Sequence, residues 1–118
     1  MDKLERIFDI QRYLQSQMPP AAAFGIPTDD VDRATHLTKE CVLAMVSELV
    51  EILGCVNWKA WKRQRLDLPN VPALREELVD VFHFLVNLFL LWGMTPDDVL
   101  TLFEEKHNVN VARQKEGY

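Results

Sequence analysis

Glu48-Leu49-Val50-Glu51 and Glu77-Leu78-Val79-Asp80 are two acidic pairs of the same spacing, each set in an otherwise apolar segment. Residues three apart on an α-helix lie about 5–6 Å from one another and face the same way, so each pair puts two carboxylates on one helix face. Two such helices packed antiparallel can aim all four carboxylates at one point. Four converging carboxylates repel strongly unless a cation sits between them. An all-oxygen set suits a hard divalent ion, and such an ion suits phosphate chemistry.

The segments around the pairs read as helices. From roughly Asp32 through Leu53, residues Leu37, Cys41, Ala44, Val46, Leu49, Val50 and Leu53 keep an apolar period, with Glu40, Ala44, Glu48 and Glu51 along one side. The small Ala44 leaves room there for a cation and its waters. Asn70-Val71-Pro72 opens the next helix, with Pro72 in its first turn and Ala73 to Trp92 following. That helix is apolar over most of its circumference, and its one polar stripe runs through Glu77, Asp80, Phe84 or His83, and Asn87. Polar groups along so apolar a helix are costly unless paired or metal-bound, which favours a functional role for the stripe. His83 alone reads as a satisfied core histidine.

Upstream, Asp2 to about Met18 places Leu4, Ile7, Phe8, Leu14 and Met18 at helical spacing, with Gln11 in the middle of the stripe. A buried primary amide must find partners, in the core or on a ligand. Pro19-Pro20 ends this helix, and the Gly- and Pro-punctuated residues up to Asp30 read as a loop that covers a site. Between the acidic helices, Asn57-Trp58-Lys59-Ala60-Trp61-Lys62-Arg63-Gln64-Arg65 packs four cations and two tryptophans into nine residues. Taken alone it is a solvated basic turn with Trp anchors; beside carboxylates it suits triphosphate oxygens and a base. Downstream, Gly93 closes the third helix and Thr95-Pro96-Asp97-Asp98 starts a fourth with N-cap Thr, Pro at the first position and acids in the first turn. Val99, Leu102 and Phe103 are expected to pack inward. Lys106, Asn110 and Arg113 form one polar face, a dipole-complementing helix end that also suits phosphate and sugar.

At 118 residues, 48% apolar and 26% charged, the chain is one domain, 1–118, of ordinary globular composition. A net charge of −5 and a pI near 5.1 argue against a nucleic-acid polymer as partner. The N-terminus lacks a signal-peptide layout and the longest apolar run is too short for a bilayer, so a cytoplasmic protein without membrane attachment is expected. Cys41 and Cys55, fourteen residues apart on what reads as one helix, would be about 21 Å apart and unable to bridge.

Together these residues resemble the all-α nucleoside triphosphate pyrophosphatases, the MazG-like superfamily, and within it the dimeric dUTP diphosphatases in their compact bacterial and phage form. The resemblance rests on Glu48-x-x-Glu51 and Glu77-x-x-Asp80 with twenty-five residues between them, on Asn57-Trp58-Lys59-Ala60-Trp61-Lys62, and on the tail Lys106-His107-Asn108-Val109-Asn110-Val111-Ala112-Arg113-Gln114-Lys115-Glu116-Gly117-Tyr118. It implies an all-α four-helix bundle forming a homodimer or homotetramer, with two or three Mg²⁺ per site, replaceable by Mn²⁺, held by Glu48, Glu51, Glu77 and Asp80. Glu48 or Glu51 would also orient or deprotonate the attacking water. The same resemblance makes Lys59, Lys62, Lys106, Asn110, Arg113 and Tyr118 phosphate or sugar contacts, and Gln11 and Trp61 base contacts. The implied reaction is hydrolysis of dUTP to dUMP and diphosphate. The alternatives are a MazG-like enzyme for another nucleotide such as dCTP or dGTP, a di-iron carboxylate bundle built on Asp80-x-x-His83, and a non-catalytic helical interaction module.

Overall fold

Each helix begins where a side chain can satisfy the amide groups that a helix start leaves unpaired. In the structure, a computed structural model, residues 1–117 are described and contain no strand. Helix α1 (Lys3–Ser16) opens on a reciprocal capping box between Asp2 and Glu5. A 3₁₀ turn (Pro20–Ala22) follows in the proline-stopped loop. Helix α2 (Val31–Leu53) starts at Asp30, whose carboxylate accepts from the amides of Asp32 and Arg33 at 3.0 and 3.2 Å. Asn70 caps α3 (Val71–Leu91) by accepting from Ala73 N. The box of Thr95 and Asp98 caps α4 (Pro96–Lys115). The fold is therefore all-α, with every expected helix present.

The turn between α3 and α4 depends on Gly93, whose φ of +71° is open to glycine and strained for most other residues. Its amide bonds Leu90 O and that of Met94 bonds Phe89 O, the paired closure typical of a left-handed helix end. The long loop between α2 and α3 is tied at its base by Asn70 N donating to Cys55 O at 2.9 Å. Within it, Asn57 spans the basic stretch, donating to Arg65 O and accepting from Arg65 N.

α2 and α3 form the principal packed pair, α1 lies on α3, and α4 meets the rest mainly through α1. One core cluster joins Phe8, Val86 and Leu90, with Leu4, Phe89 and Val99 packed against them, and Ala34, Leu37 and Cys41 of α2 are buried as well. Phe8 and Phe89 stack with centroids 6.1 Å apart. Burying Phe8 contributes roughly 1.5–3 kcal/mol by area alone.

Much apolar surface is left over. On α2, Val42, Leu43, Val46, Leu49, Val50 and Leu53 form a continuous exposed stripe at helical spacing. Ile7 and Leu14 of α1, and Met18 just past its end, are exposed as well. The expectation that Leu102 and Phe103 pack inward is corrected: they are 48% and 71% exposed, because α4 leaves the body after Val99 and everything from Leu100 to Gly117 lies in solvent. The radius of gyration, 17.6 Å, reflects this openness, against the ~13.5 Å of a compact domain of this length. Cys55 falls just beyond the end of α2 rather than within it; both cysteines are buried and free. No single described helix is long and apolar enough to cross a membrane.

Candidate active site

Packing α2 against α3 brings Glu48, Glu51 and Glu77 together, with one oxygen of each lying within 4.8 Å of the others. Glu51 is exposed at the rim, whereas Glu48 and Glu77 are half-buried. The Oε2 atoms of Glu48 and Glu77 are buried and have no hydrogen-bond partner. With both groups ionised, neither oxygen has a donor, so the pair must take up either a proton or a cation. Sharing a hydrogen bond with Glu48 pushes Glu77 up to about 7, and burial and Glu51 act in the same direction. Orphaned, mutually repelling oxygens with no nitrogen or sulfur among them fit a hard divalent cation. Asp80, one turn along α3 from Glu77, is exposed and lies outside this group.

Farther along α3, where α1 packs on it, buried polar side chains pair with one another instead. Gln11, Gln15 and Asn87 are buried side chains at 4%, 4% and 3% exposure. Gln11 Nε2 donates to Asn87 Oδ1 at 2.7 Å, and Gln11 Oε1 lies 3.0 Å from His83 Nδ1. Gln15 Oε1 accepts from Gly25 N at 2.8 Å, which draws the loop after α1 over Asn87. Gly25 sits so close that an added Cβ would meet Asn87 Oδ1 and Gln15 Cγ at 3.2 Å. Gln11, expected to contact the base, is thus part of a buried amide network, and His83 is an exposed residue bonded to it rather than a core histidine. Phe24 and Phe84 lie 6.3 Å apart near the same loop. Behind Gln11 and His83 a cavity of about 240 Å³ opens between apolar residues of α1 and α3.

The basic loop makes a shallow cavity of about 280 Å³ whose walls include Asn57, Trp58, Lys59, Lys62, Arg63 and Arg65. Trp58 and Trp61 meet edge to face at 5.7 Å, and the Lys59 ammonium lies 5.3 Å from the Trp58 ring centroid. Trp61 is 71% exposed, so it is no core anchor. Lys106, Asn110 and Arg113 stand on the exposed half of α4, which docks on α1 rather than on the α2–α3 pair. Tyr118 lies outside the described residues. Cys41, held against Phe84 O, has its thiol pushed up to about 11 by burial and is inert.

Gln15, Gly25 and the pairing of Asn87 with Gln11 are what reading the sequence did not find. Gln15 follows Gln11 by four residues on the same face of α1, which was the available signal.

The fold and the comparisons with known proteins put the chain in the class of all-α nucleotide pyrophosphatases, enzymes that act on nucleoside triphosphates. Residues 3–92 match the family model described as dUTPase, and the chain belongs to that family. It is 34% identical to a dCTP pyrophosphatase of Enterobacteria phage LZ5, across 100% of this chain and 84% of that protein. It is 26% identical to the dCTP pyrophosphatase of Enterobacteria phage T4, across 99% of this chain and 83% of the relative. A T4 DNA replication protein is also 26% identical over 93% of this chain, which corresponds to 35% of that longer protein. No solved structure matches the chain.

Proposed function

We propose that this protein hydrolyses dUTP to dUMP and diphosphate with Mg²⁺. The observation that carries the reading is the pair of buried, unpartnered oxygens on Glu48 and Glu77, with Glu51 beside them. Glu48, Glu51 and Glu77 would hold the ion, with Asp80 joining from the exposed edge. Mg²⁺ held there would offset the negative charge of the triphosphate and lower the pKa of a water so that it gives up its proton more readily. Glu51 reaches solvent and is the member suited to orient that water and take its proton. Lys59 and Lys62 offer ammonium groups to the phosphate chain from the tethered loop, and Lys106, Asn110 and Arg113 offer a second set from α4. Gln11, with Trp61 from the basic loop, belongs to base recognition.

The exposed apolar stripe of α2 and the unpacked half of α4 support a homodimer or homotetramer, in which both would be covered. Sedimentation at micromolar concentration checks this, and a 13.7 kDa species contradicts it.

A second reading, dCTP as substrate, is favoured by the activity in the names of the two phage pyrophosphatases. One experiment separates the readings: diphosphate release from each common NTP and dNTP, with Mg²⁺ or EDTA, by the wild type and Glu51→Gln. Mg²⁺-dependent turnover of dUTP, lost in the variant, is expected. Turnover confined to dCTP keeps the carboxylate chemistry and moves the substrate; no turnover of any nucleotide overturns the proposal.

A further inference from the structure

The pair formed by α2 and α3 has two faces of opposite character. Four contacts run up α2 and down α3, Thr38 with Trp92, Cys41 with Phe84, Glu48 with Glu77 and Cys55 with Asn70, so the two helices are antiparallel. At about 100° per residue, turning around α2 from the inward line of Leu37, Cys41 and Glu48 leads one way to Glu51 and the other way to Val42, Val46, Leu49 and Leu53. Turning around α3 from Glu77 and Phe84 leads in the same two senses to Asp80 and to Leu78, Phe82 and Leu85. In an antiparallel pair equal senses of rotation reach the same side. The carboxylates therefore line one face of the pair and the apolar residues the other. Trp92, whose indole N–H donates to Thr38 Oγ1 at 3.0 Å, joins the two helices on the apolar side. These eight apolar residues are each 36–58% exposed.

We infer that this apolar face is an isologous interface, on which the α2–α3 layer of a second copy of the chain packs to complete a four-helix core. The inference rests on the reading of the chain as a homo-oligomer and says which surface makes the contact. Together the eight residues expose roughly 700 Å² per copy, so covering them on two copies hides about 1,400 Å², within the ~1,200–2,000 Å² of a stable interface. A bare patch of that size exceeds what a monomer ordinarily shows, and α4, which docks mainly on α1, leaves it uncovered. Charge favours the same occupant. A two-fold contact sets each face against itself, so like charges on it would repel. None of the eight residues is ionisable, and Glu48, Glu51, Glu77 and Asp80 of this chain of net charge −5 stand on the opposite face. The two acidic sites then lie back to back, each on the helices of one copy, and the contact clamps the helix pair that aligns them.

The test is sedimentation equilibrium of the wild type, Val46→Glu on α2, Leu85→Glu on α3 and Phe103→Glu on the exposed part of α4. The wild type is expected at twice 13.7 kDa or a multiple of that, with a Tm that rises with protein concentration. Val46→Glu and Leu85→Glu are each expected at no more than half the wild-type mass, because a charge on the face meets its own copy across the two-fold. Phe103→Glu is expected to keep the wild-type mass. Val46 and Leu85 lie on the surface of the single chain, so far-UV circular dichroism of these variants should match the wild type. Should a charge at either position disturb folding, the neutral Val46→Gln decides: it should raise the dissociation constant about tenfold or more by leaving an amide unpaired in the contact. A wild-type oligomer that survives both Val46→Glu and Leu85→Glu, or one lost in Phe103→Glu alone, overturns the inference and leaves the homo-oligomer standing. A wild type of 13.7 kDa overturns both, and the face then belongs to a different protein. No nucleotide enters the measurement, so a failure of the hydrolase reading leaves the interface untouched.

Discussion

α3 carries two polar clusters roughly ten residues apart, one buried and one half-buried, and they are opposites. Around Asn87 the buried polar groups have found one another: Gln11 bonds Asn87 and His83, and Gln15 bonds Gly25. Around Glu77 they have not, and two carboxylate oxygens sit buried with no donor. A satisfied network rigidifies its surroundings, whereas an unsatisfied one keeps a debt of desolvation and repulsion that a ligand can relieve. The contrast separates the α1–α3 contact, whose buried amides are paired, from the α2–α3 contact, whose buried carboxylate oxygens are not.

The largest effect expected from breaking this contrast is at the acidic end. Glu77→Gln should lower Mg²⁺-dependent turnover by at least about 100-fold, since even groups that only support metal ligands cost up to that much. The same change should leave the metal-free protein at least as stable, because it removes a charge from a repelling trio; a clear loss of Tm in EDTA would mean that the cluster is a structural hydrogen-bond site.

At the amide end the sign reverses. Gln11→Leu leaves Asn87 buried without its donor and should cost about 1–3 kcal/mol in urea unfolding. The double variant Gln11→Leu/Asn87→Leu should cost less than the sum of the two single changes, and strict additivity would show that the two amides do not depend on each other. Gly25→Ala is milder, about 1 kcal/mol, as the added methyl pushes on Asn87 and Gln15.

The smallest effect is a slope in pH. Glu77 ionises near 7 in the folded chain, against an ordinary value of 4.5. Between those two values the folded state binds more protons than the unfolded one, so its stability falls as pH rises and the full penalty is present above about 7. In EDTA, Tm should therefore decline from pH 5 to pH 8 through this group. Mg²⁺ competes with the proton, so it should raise Tm more at pH 8 than at pH 6. A Mg²⁺ increment that is the same at both pH values would break the link between the raised carboxyl and the ion.

The helices were legible because their start signals are local. Asp30, Asn70 and Thr95 cap where side-chain chemistry requires, and each element boundary falls within a few residues of its signal. The convergence of Glu48, Glu51 and Glu77 was legible too, since it follows from helix periodicity and one antiparallel packing. What local pattern does not carry is the choice between faces. Leu102 and Phe103 have the spacing of a packed stripe, yet they stand 48% and 71% exposed among the described residues. The amide network was hidden for a similar reason: Gln11 and Asn87 are 76 residues apart, and only the docking of α1 on α3 makes them partners.

The outer half of α4 has one more consequence. Sixteen consecutive helical residues, Leu100 to Lys115, are exposed and hold their hydrogen bonds with almost no tertiary burial to protect them. A helix sustained mainly by its own ladder opens and closes readily in water. Amide hydrogens there should exchange with deuterium early, while those of α3 near Val86 and Leu90 exchange late. The rate at Val109 and Val111 then becomes a direct clock for anything that settles on this helix, because whatever covers it must slow that exchange.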